Sequence, residues 1–144
     1  MHFFDISKVQ LAKVEVFTPT PLVQEILDTL DQTVFTDPAK TFLDPTCGDG
    51  QFLGEALIRK MENGSTFEQA LGTIYGVDLM QDNVELCRKR LLCGREDLRH
   101  IVEQNIVCAD ALRYHYRFDN SYPYDDEALE IEFEERWDNL FEVG

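Results

Sequence analysis

A glycine-containing turn between an apolar run and a helix-like run is the feature that most restricts how this chain can fold. Residues 41–57 read TFLDPTCGDGQFLGEAL, in which Asp44-Pro45 ends the apolar run and glycines follow at positions 48 and 50. Glycine adopts backbone conformations that other residues avoid, and the start of a helix presents unpaired N–H groups to a ligand. The segment therefore predicts a strand–turn–helix unit that holds a nucleotide or nucleoside.

Helical and strand-like segments alternate on both sides of this turn. A first helix is predicted from a cap at Thr20, with Pro21 in its first turn, to about Asp31. Apolar residues from 52 to 61 mark the inner face of the next helix, and Asn63-Gly64 closes it. The remaining segments are a strand at 72–79, a helix at 80–94 and a strand at 105–112. This order predicts an α/β fold with a parallel sheet, right-handed crossovers and helices on both faces.

The predicted sheet lacks a strand on one side. The strand at 41–44 should be central and needs neighbours on both edges. Two later segments are candidates, the alternating run 129–133 and the run 137–143. If neither pairs there, a protein partner or a second copy of the chain should cover the edge. We expect a domain over residues 1–118 and an acidic segment over 119–144 that can supply a fourth strand.

Three acidic residues occupy equivalent places, one at the end of each predicted strand: Asp44, Asp78 and Asp110. Ligands of open parallel sheets bind beyond the carboxyl ends of the strands. Asp78 can accept from two ribose hydroxyls, and Asp110 can accept from the amino group of a base. Each acid also has a plain structural interpretation, since Asp44 can cap the turn and Asp78 can cap the next helix. A dinucleotide site is the weaker alternative, because Leu53 replaces the third glycine of GxGxxG.

Composition and charge restrict the class of protein. The formal net charge is −15, and residues 119–144 contain ten acidic residues against one basic residue, Arg136. Such an excess opposes contact with a phosphate backbone, although most of it lies in one segment. No secretory or membrane-spanning pattern is evident, so we expect a cytoplasmic protein. The four cysteines and three histidines lack metal-ligand spacing, and buried thiols are expected for most of the cysteines.

Four ordered motifs between residues 15 and 112 resemble the S-adenosylmethionine domain of N6-adenine DNA methyltransferases of restriction–modification systems. They are VFTPTPLVQEIL, FLDPTCGDGQFL, IYGVDLMQDNVELCRKRL and NIVCADAL. The resemblance implies that Thr18-Pro19 lies beside the methionine part of the cofactor, that Asp78 binds the ribose and that Leu79 covers the adenine. It also implies that Asp110 accepts from the adenine amino group and that the Ala111 amide contacts the base. The implied cofactor contacts are Phe17, Thr18, Pro19, Asp44, Pro45, Thr46, Cys47, Gly48, Gly50, Phe52, Asp78, Leu79, Asp110 and Ala111.

The resemblance stops at the substrate side of the site. Enzymes of this family hold the flipped base with a [D/N]-P-P-[Y/F/W] loop after the fourth strand. No such tetrapeptide occurs here; NSYPY at 120–124 is the nearest string, and RWDNLFEVG resembles the strand that precedes the loop. We therefore expect an S-adenosylmethionine-binding, DNA adenine methyltransferase-like protein that transfers a methyl group only with a partner subunit. The alternative is an inactive cofactor-binding module or decoy that regulates a host modification system. The short length also resembles methylase-like proteins of bacteriophages, which would place the protein in the host cytoplasm.

Overall fold

The computed structural model describes residues 19–124 and the backbone of a short strand at positions 2–3. The elements in chain order are β1 (His2–Phe3), α1 (Thr20–Asp28), α2 (Thr33–Thr36), β2 (Phe42–Asp44), α3 (Gln51–Glu62), α4 (Phe67–Gly72), β3 (Ile74–Asp78), α5 (Gln81–Leu92), a 3₁₀ turn (Glu96–Leu98), α6 (Arg99–Asn105) and β4 (Ile106–Cys108). The predicted alternation of helices and strands is confirmed, and the fold is a Rossmann-like α/β arrangement with a parallel sheet.

The sheet is parallel throughout and has the order β1-β2-β3-β4. The neighbour of β2 on its outer side is thus the amino-terminal strand, a position for which the sequence suggested only later segments or another subunit. Two residues give no readable periodicity, so β1 could not be recognised. The candidate strands at 129–133 and 137–143, like most of the acidic segment, lie outside the described residues.

The described helices pack against one face of the sheet, so the second helical layer predicted from the sequence is not present among the described residues. Phe42, Ile74 and Ile106 point to this face and join the helical residues in a single buried core; Phe42 is paired with Ile74, whereas Ile106 is paired with Gly76. Each step from β2 to β3 and from β3 to β4 moves the chain in the same direction across the sheet. Right-handed crossovers in one direction place their helices on one side, which accounts for this layer.

The opposite face of β2–β4 is covered by the chain that follows β4. Leu43 and Val77 point to this face and pack with Tyr114 and Phe118, all of them buried. We call residues 114–124 the aromatic segment, because six of its eleven residues are Tyr, Phe or His. The segment closes on itself through a bridge between Tyr114 and Tyr124.

Several local predictions differ from the structure. Pro19, not Thr20, occupies the N-cap position of α1 and makes no side-chain capping bond; the helix ends at Asp28, and the hydroxyl of the next residue, Thr29, donates to the Ile26 carbonyl. Met61 is 42% exposed rather than on the inner face of α3. The short helices α4 and α6 were not predicted, since neither is long enough to show a helical period.

The cysteine prediction is correct for two residues of four. Cys47 and Cys87 are buried, whereas Cys93 is exposed and Cys108 is partly exposed; all four are free thiols. Among the helices of the described part of the chain, none is long and apolar enough to cross a membrane.

Candidate functional site

The turn after β2 is built by backbone hydrogen bonds that need its particular residues. The buried Asp44 carboxylate accepts from the Thr46 amide (3.0 Å), which turns the chain as the strand ends. The Cys47 amide then donates to the Val77 carbonyl (2.9 Å), so the turn is fastened to β3. The capping role considered for Asp44 is therefore present. The Asp44 carboxylate is buried, and its hydrogen bond to the Thr46 amide fixes the conformation of the loop.

The two glycines serve different purposes. Gly48 has φ +55°, and a Cβ built on it would find no atom within 4 Å, so its backbone faces open space that a ligand can enter. Gly50 has φ +90° and begins α3; a Cβ there would lie 2.7 Å from the Cys87 sulfur. Gly50 is thus required for the packing of α5 against the turn. At Gly48 the missing side chain leaves the backbone open to a ligand.

Asp78 ties the glycine turn to the end of β3. One carboxylate oxygen accepts from the Gly48 amide (3.0 Å), and the other accepts from the Met80 amide (2.8 Å) and the Asn83 side-chain amide (3.3 Å). Asp78 therefore faces the glycine turn, but it is not the cap of α5, because Met80 occupies the N-cap position and no side chain caps that helix. Ribose binding by Asp78 stays a prediction. Asn83 was not singled out from the sequence. Asn83 lies five residues after Asp78, in the first turn of α5, and this spacing is the sequence signal that could have identified it.

The two peptide units that flank Asp110 and its carboxylate all make hydrogen bonds. Its amide donates to the Tyr124 hydroxyl (3.1 Å), and one carboxylate oxygen accepts from the Leu112 amide (2.9 Å). Its carbonyl accepts from the amides of Arg113 (3.0 Å) and Tyr114 (2.9 Å). Because a peptide unit is planar, the Ala111 N–H must point away from that turn, where a ligand can accept from it.

The strand register brings these groups to one edge of the sheet. Asp44 is paired with Gly76, two residues before Asp78, and Asp78 is paired with Cys108, two residues before Asp110. The Ala109 amide continues the ladder by donating to the Asp78 carbonyl (3.0 Å). The predicted grouping of three acids at the carboxyl ends of neighbouring strands is thus what the structure shows.

Apolar side chains stand exposed beside the acids. Leu79 is 69% exposed and Leu112 is 95% exposed, each directly after or close to a strand-end acid. Exposed leucines next to hydrogen-bonding groups fit the flat face of a base, which needs apolar contact and polar groups at its edge.

Two thiols near the site, those of Cys47 and Cys108, have raised pKa values. The pKa of Cys47 is raised well above its ordinary value by the hydrogen bond with Cys87, by burial and by the charges of Asp44 and Asp78. Burial and the Asp78 charge also raise the pKa of Cys108. Both shifts reduce the thiolate fraction of these two cysteines relative to an ordinary thiol.

The remaining predicted cofactor contacts differ in whether the structure describes them and in how far they are buried. Phe17 and Thr18 lie outside the described residues, and Pro19 is exposed at the start of α1. Pro45, Cys47 and Phe52 are buried and support the turn from below. The Thr46 hydroxyl is buried and makes no hydrogen bond within the described residues.

A cavity of about 250 Å³ lies near this site but is distinct from it. Residues of α1, α3 and the carboxyl end of α5 line the cavity, among them Thr20, Gln51, Glu55 and Arg90. None of the three strand-end acids faces it. The edge of the sheet, which carries the convergent hydrogen-bonding groups, is the better candidate on chemical grounds.

Comparison with known proteins agrees with this geometry. A family model described as N-6 DNA Methylase matches residues 7–132. The chain is also similar to the Type II methyltransferase M.VspI of Vibrio sp. (strain 343), with 32% identity over 108 residues. That alignment covers 74% of this chain and 22% of the relative, so the chain spans less than a quarter of the relative's length.

Proposed function

Since the chain belongs to the N-6 DNA methylase family, we propose that the carboxyl ends of β2, β3 and β4 bind S-adenosylmethionine, the methyl donor that this family implies. The observation that carries the proposal is the hydrogen bond between the Gly48 amide and the Asp78 carboxylate. It joins the glycine turn and the ribose-binding acid into one unit, with open space above the glycine.

The acceptor capacity of Asp78 decides how a ribose would bind. An ionised carboxylate has about four acceptor positions, and three are filled by Gly48, Met80 and Asn83. A ribose diol brings two donors, so one position is available and one contact must give way. The Asn83 contact is the longest at 3.3 Å and comes from a side chain that can rotate, so we expect it to be displaced.

The base would lie against Leu79, with its edge at the end of β4. The Asp110 carboxylate would accept from the 6-amino group, and the Ala111 amide would donate to the neighbouring ring nitrogen. The positive sulfonium of the cofactor suits an edge with three acidic residues. When bound, the cofactor supplies the electrophilic methyl group. The residues of this chain contribute binding and orientation, which lower the barrier by fixing the reacting geometry.

We propose DNA adenine as the substrate class, with transfer dependent on groups outside residues 1–144. The sequence contains no [D/N]-P-P-[Y/F/W] tetrapeptide to hold a flipped base. NSYPY does not replace it, because the Tyr124 hydroxyl is bonded to the Asp110 amide and its ring lies beneath the Arg113 guanidinium. A partner subunit that brings the missing loop and a DNA-binding surface would complete the site.

The second candidate is a cofactor-binding module that acts on another protein without methyl transfer. The net charge of −15 favours it, since ten of the acidic residues lie in 119–144 and would repel a DNA backbone. A basic protein partner fits that segment better than a nucleic acid does.

Calorimetric titration with S-adenosylmethionine tests the shared part of both candidates. We expect binding by the natural chain and at least a tenfold loss in Asp78→Ala, since one hydrogen bond to a charged group is worth about 1.5–3 kcal/mol. Asp82→Ala is the matched control, because Asp82 is an exposed acid in the first turn of α5, the helix that follows Asp78. Equal affinity in the two variants would mean that Asp78 does not hold the ribose.

Transfer of a labelled methyl group to DNA separates the two candidates. Incorporation that requires this protein, alone or with a partner fraction, supports the enzyme. Cofactor binding without incorporation under any of these conditions supports the module.

A further inference from the structure

The aromatic segment makes direct hydrogen bonds to both residues at the end of β4. The Tyr124 hydroxyl accepts from the Asp110 amide at 3.1 Å, and the Tyr116 hydroxyl donates to the Ala111 carbonyl at 2.6 Å. These residues are the pair that would contact the edge of the base. The aromatic segment can therefore affect how Asp110 and Ala111 recognise the base.

The two tyrosines act on opposite sides of Asp110. Tyr124 fixes the peptide unit before it. Tyr116 holds the carbonyl of the 111–112 peptide unit, and the N–H of that same unit, on Leu112, donates to the Asp110 carboxylate at 2.9 Å. Because the peptide is planar, holding its carbonyl also fixes the direction of its N–H, and with it the orientation of the carboxylate.

The segment is itself held rigidly. Tyr116 and Phe118 have φ of +56° and +49°, a left-handed conformation that is unfavourable for bulky side chains. Asn120 has φ +62°, which asparagine tolerates. Ring packing maintains this backbone conformation, with Phe118 lying 4.7 Å from Tyr75 and 5.2 Å from Tyr114 between ring centres. Strained backbone that packing preserves is common at functional sites, where it positions groups in advance.

Tyr124 is braced from two further directions. The Arg113 guanidinium lies 5.3 Å from the centre of its ring, and Tyr122 meets the ring edge-on at 5.8 Å. The bridge to Tyr114 fixes its backbone. These contacts restrict the Tyr124 side chain and hold its hydroxyl against the Asp110 amide.

We propose that Tyr124 is a positioning residue that makes this site selective for a 6-aminopurine, an inference that rests on the proposed function. A 6-amino group donates to the Asp110 carboxylate, and the adjacent unprotonated ring nitrogen accepts from the Ala111 amide. A 6-oxo purine reverses both roles, placing an oxygen against the carboxylate and an N–H against the amide. Discrimination depends on how firmly Asp110 is held, since a carboxylate free to turn away relieves the mismatch.

The test compares two ligands that differ only at this edge, S-adenosylhomocysteine and S-inosylhomocysteine. For the natural chain, calorimetry should give a clear preference for the adenosyl ligand. In Tyr124→Phe the ring stays and the Asp110 amide loses its partner, so we expect the preference to fall about three- to tenfold, the usual effect of one hydrogen bond. Tyr122→Phe is the control, because Tyr122 is 63% exposed and its hydroxyl makes no hydrogen bond within the described residues. Its preference should not change.

Each outcome has one meaning. A loss of preference in Tyr124→Phe, with Tyr122→Phe unchanged, supports the inference. Equal weakening of both ligands, or no change, overturns it while leaving the proposed function standing. Failure of the natural chain to bind either ligand overturns the proposed function as well. Thermal unfolding checks that the variants fold. Tyr116→Phe, which releases the Ala111 carbonyl, gives a second measurement with the same expected loss if Tyr124→Phe does not fold.

Discussion

Replacing Gly50 with alanine should destabilise the fold through two separable effects. The first is backbone strain, since alanine at φ +90° adopts a left-handed conformation that costs about 1–2 kcal/mol. The second is a steric clash, because the new Cβ would lie 2.7 Å from the Cys87 sulfur and 3.4 Å from the Cys87 Cα. Overpacking of a core contact costs about 1–3 kcal/mol. Gly50→Ala should therefore lower the free energy of unfolding by about 2–5 kcal/mol.

Gly64→Ala isolates the first effect. Gly64 has φ +104°, close to that of Gly50, and a Cβ there would meet nothing within 4 Å. Its cost should be the strain alone, about 1–2 kcal/mol. The difference between the two variants then measures the clash.

Urea unfolding followed by circular dichroism measures both variants and a double mutant. Cys87→Ala removes the sulfur, so Gly50→Ala should cost less in that background by about 1–3 kcal/mol. The reasoning would be refuted if Gly50→Ala cost no more than Gly64→Ala, or if its cost were the same with and without the Cys87 sulfur.

Three further predictions follow from charges and thiols. Burial lowers the pKa of Lys60, so the unfolded chain binds more protons there, and stability should rise as the pH approaches the ordinary lysine pKa of about 10.4. Urea midpoints of the natural chain and Lys60→Met should therefore show the natural chain gaining stability relative to the variant on the alkaline side, and parallel curves would contradict this. Arg90→Met should lower the free energy of unfolding by about 1 kcal/mol at low salt, because the nearly buried Asp49 loses its ion pair at 2.8 Å. High salt should reduce this difference, and an equal loss of stability at low and high salt would contradict the prediction. In the native chain a disulfide reagent should label Cys93 at once and the two buried thiols beneath the turn only on unfolding, which mass spectrometry resolves.

The glycine turn and the strand-end acids could be predicted because each depends on local sequence. Asp-Pro before two glycines marks the end of a strand and the start of a helix, and a parallel sheet then aligns the ends of its strands. From that rule Asp44, Asp78 and Asp110 were placed on one edge without knowledge of any long-range contact, and the register confirms it.

The features that were not predicted depend on contacts between distant residues. Tyr124 reaches Asp110 across fourteen positions with no periodic pattern to announce it. The strand β1 contains two residues and is defined only by its partner β2. Helix α4 had a readable signal in the reciprocal capping of Thr66 and Gln69, although its length hid it.

The most direct test of the account is to map the S-adenosylmethionine site by nuclear magnetic resonance on the isotope-labelled chain. We expect backbone amide shifts on titration to concentrate at Gly48, Asp78, Leu79, Asp110 and Ala111, the glycine turn and the ends of β3 and β4. Shifts concentrated instead around the cavity of α1, α3 and α5, or no shifts at saturating cofactor, would contradict the claim that the strand ends form a cofactor site.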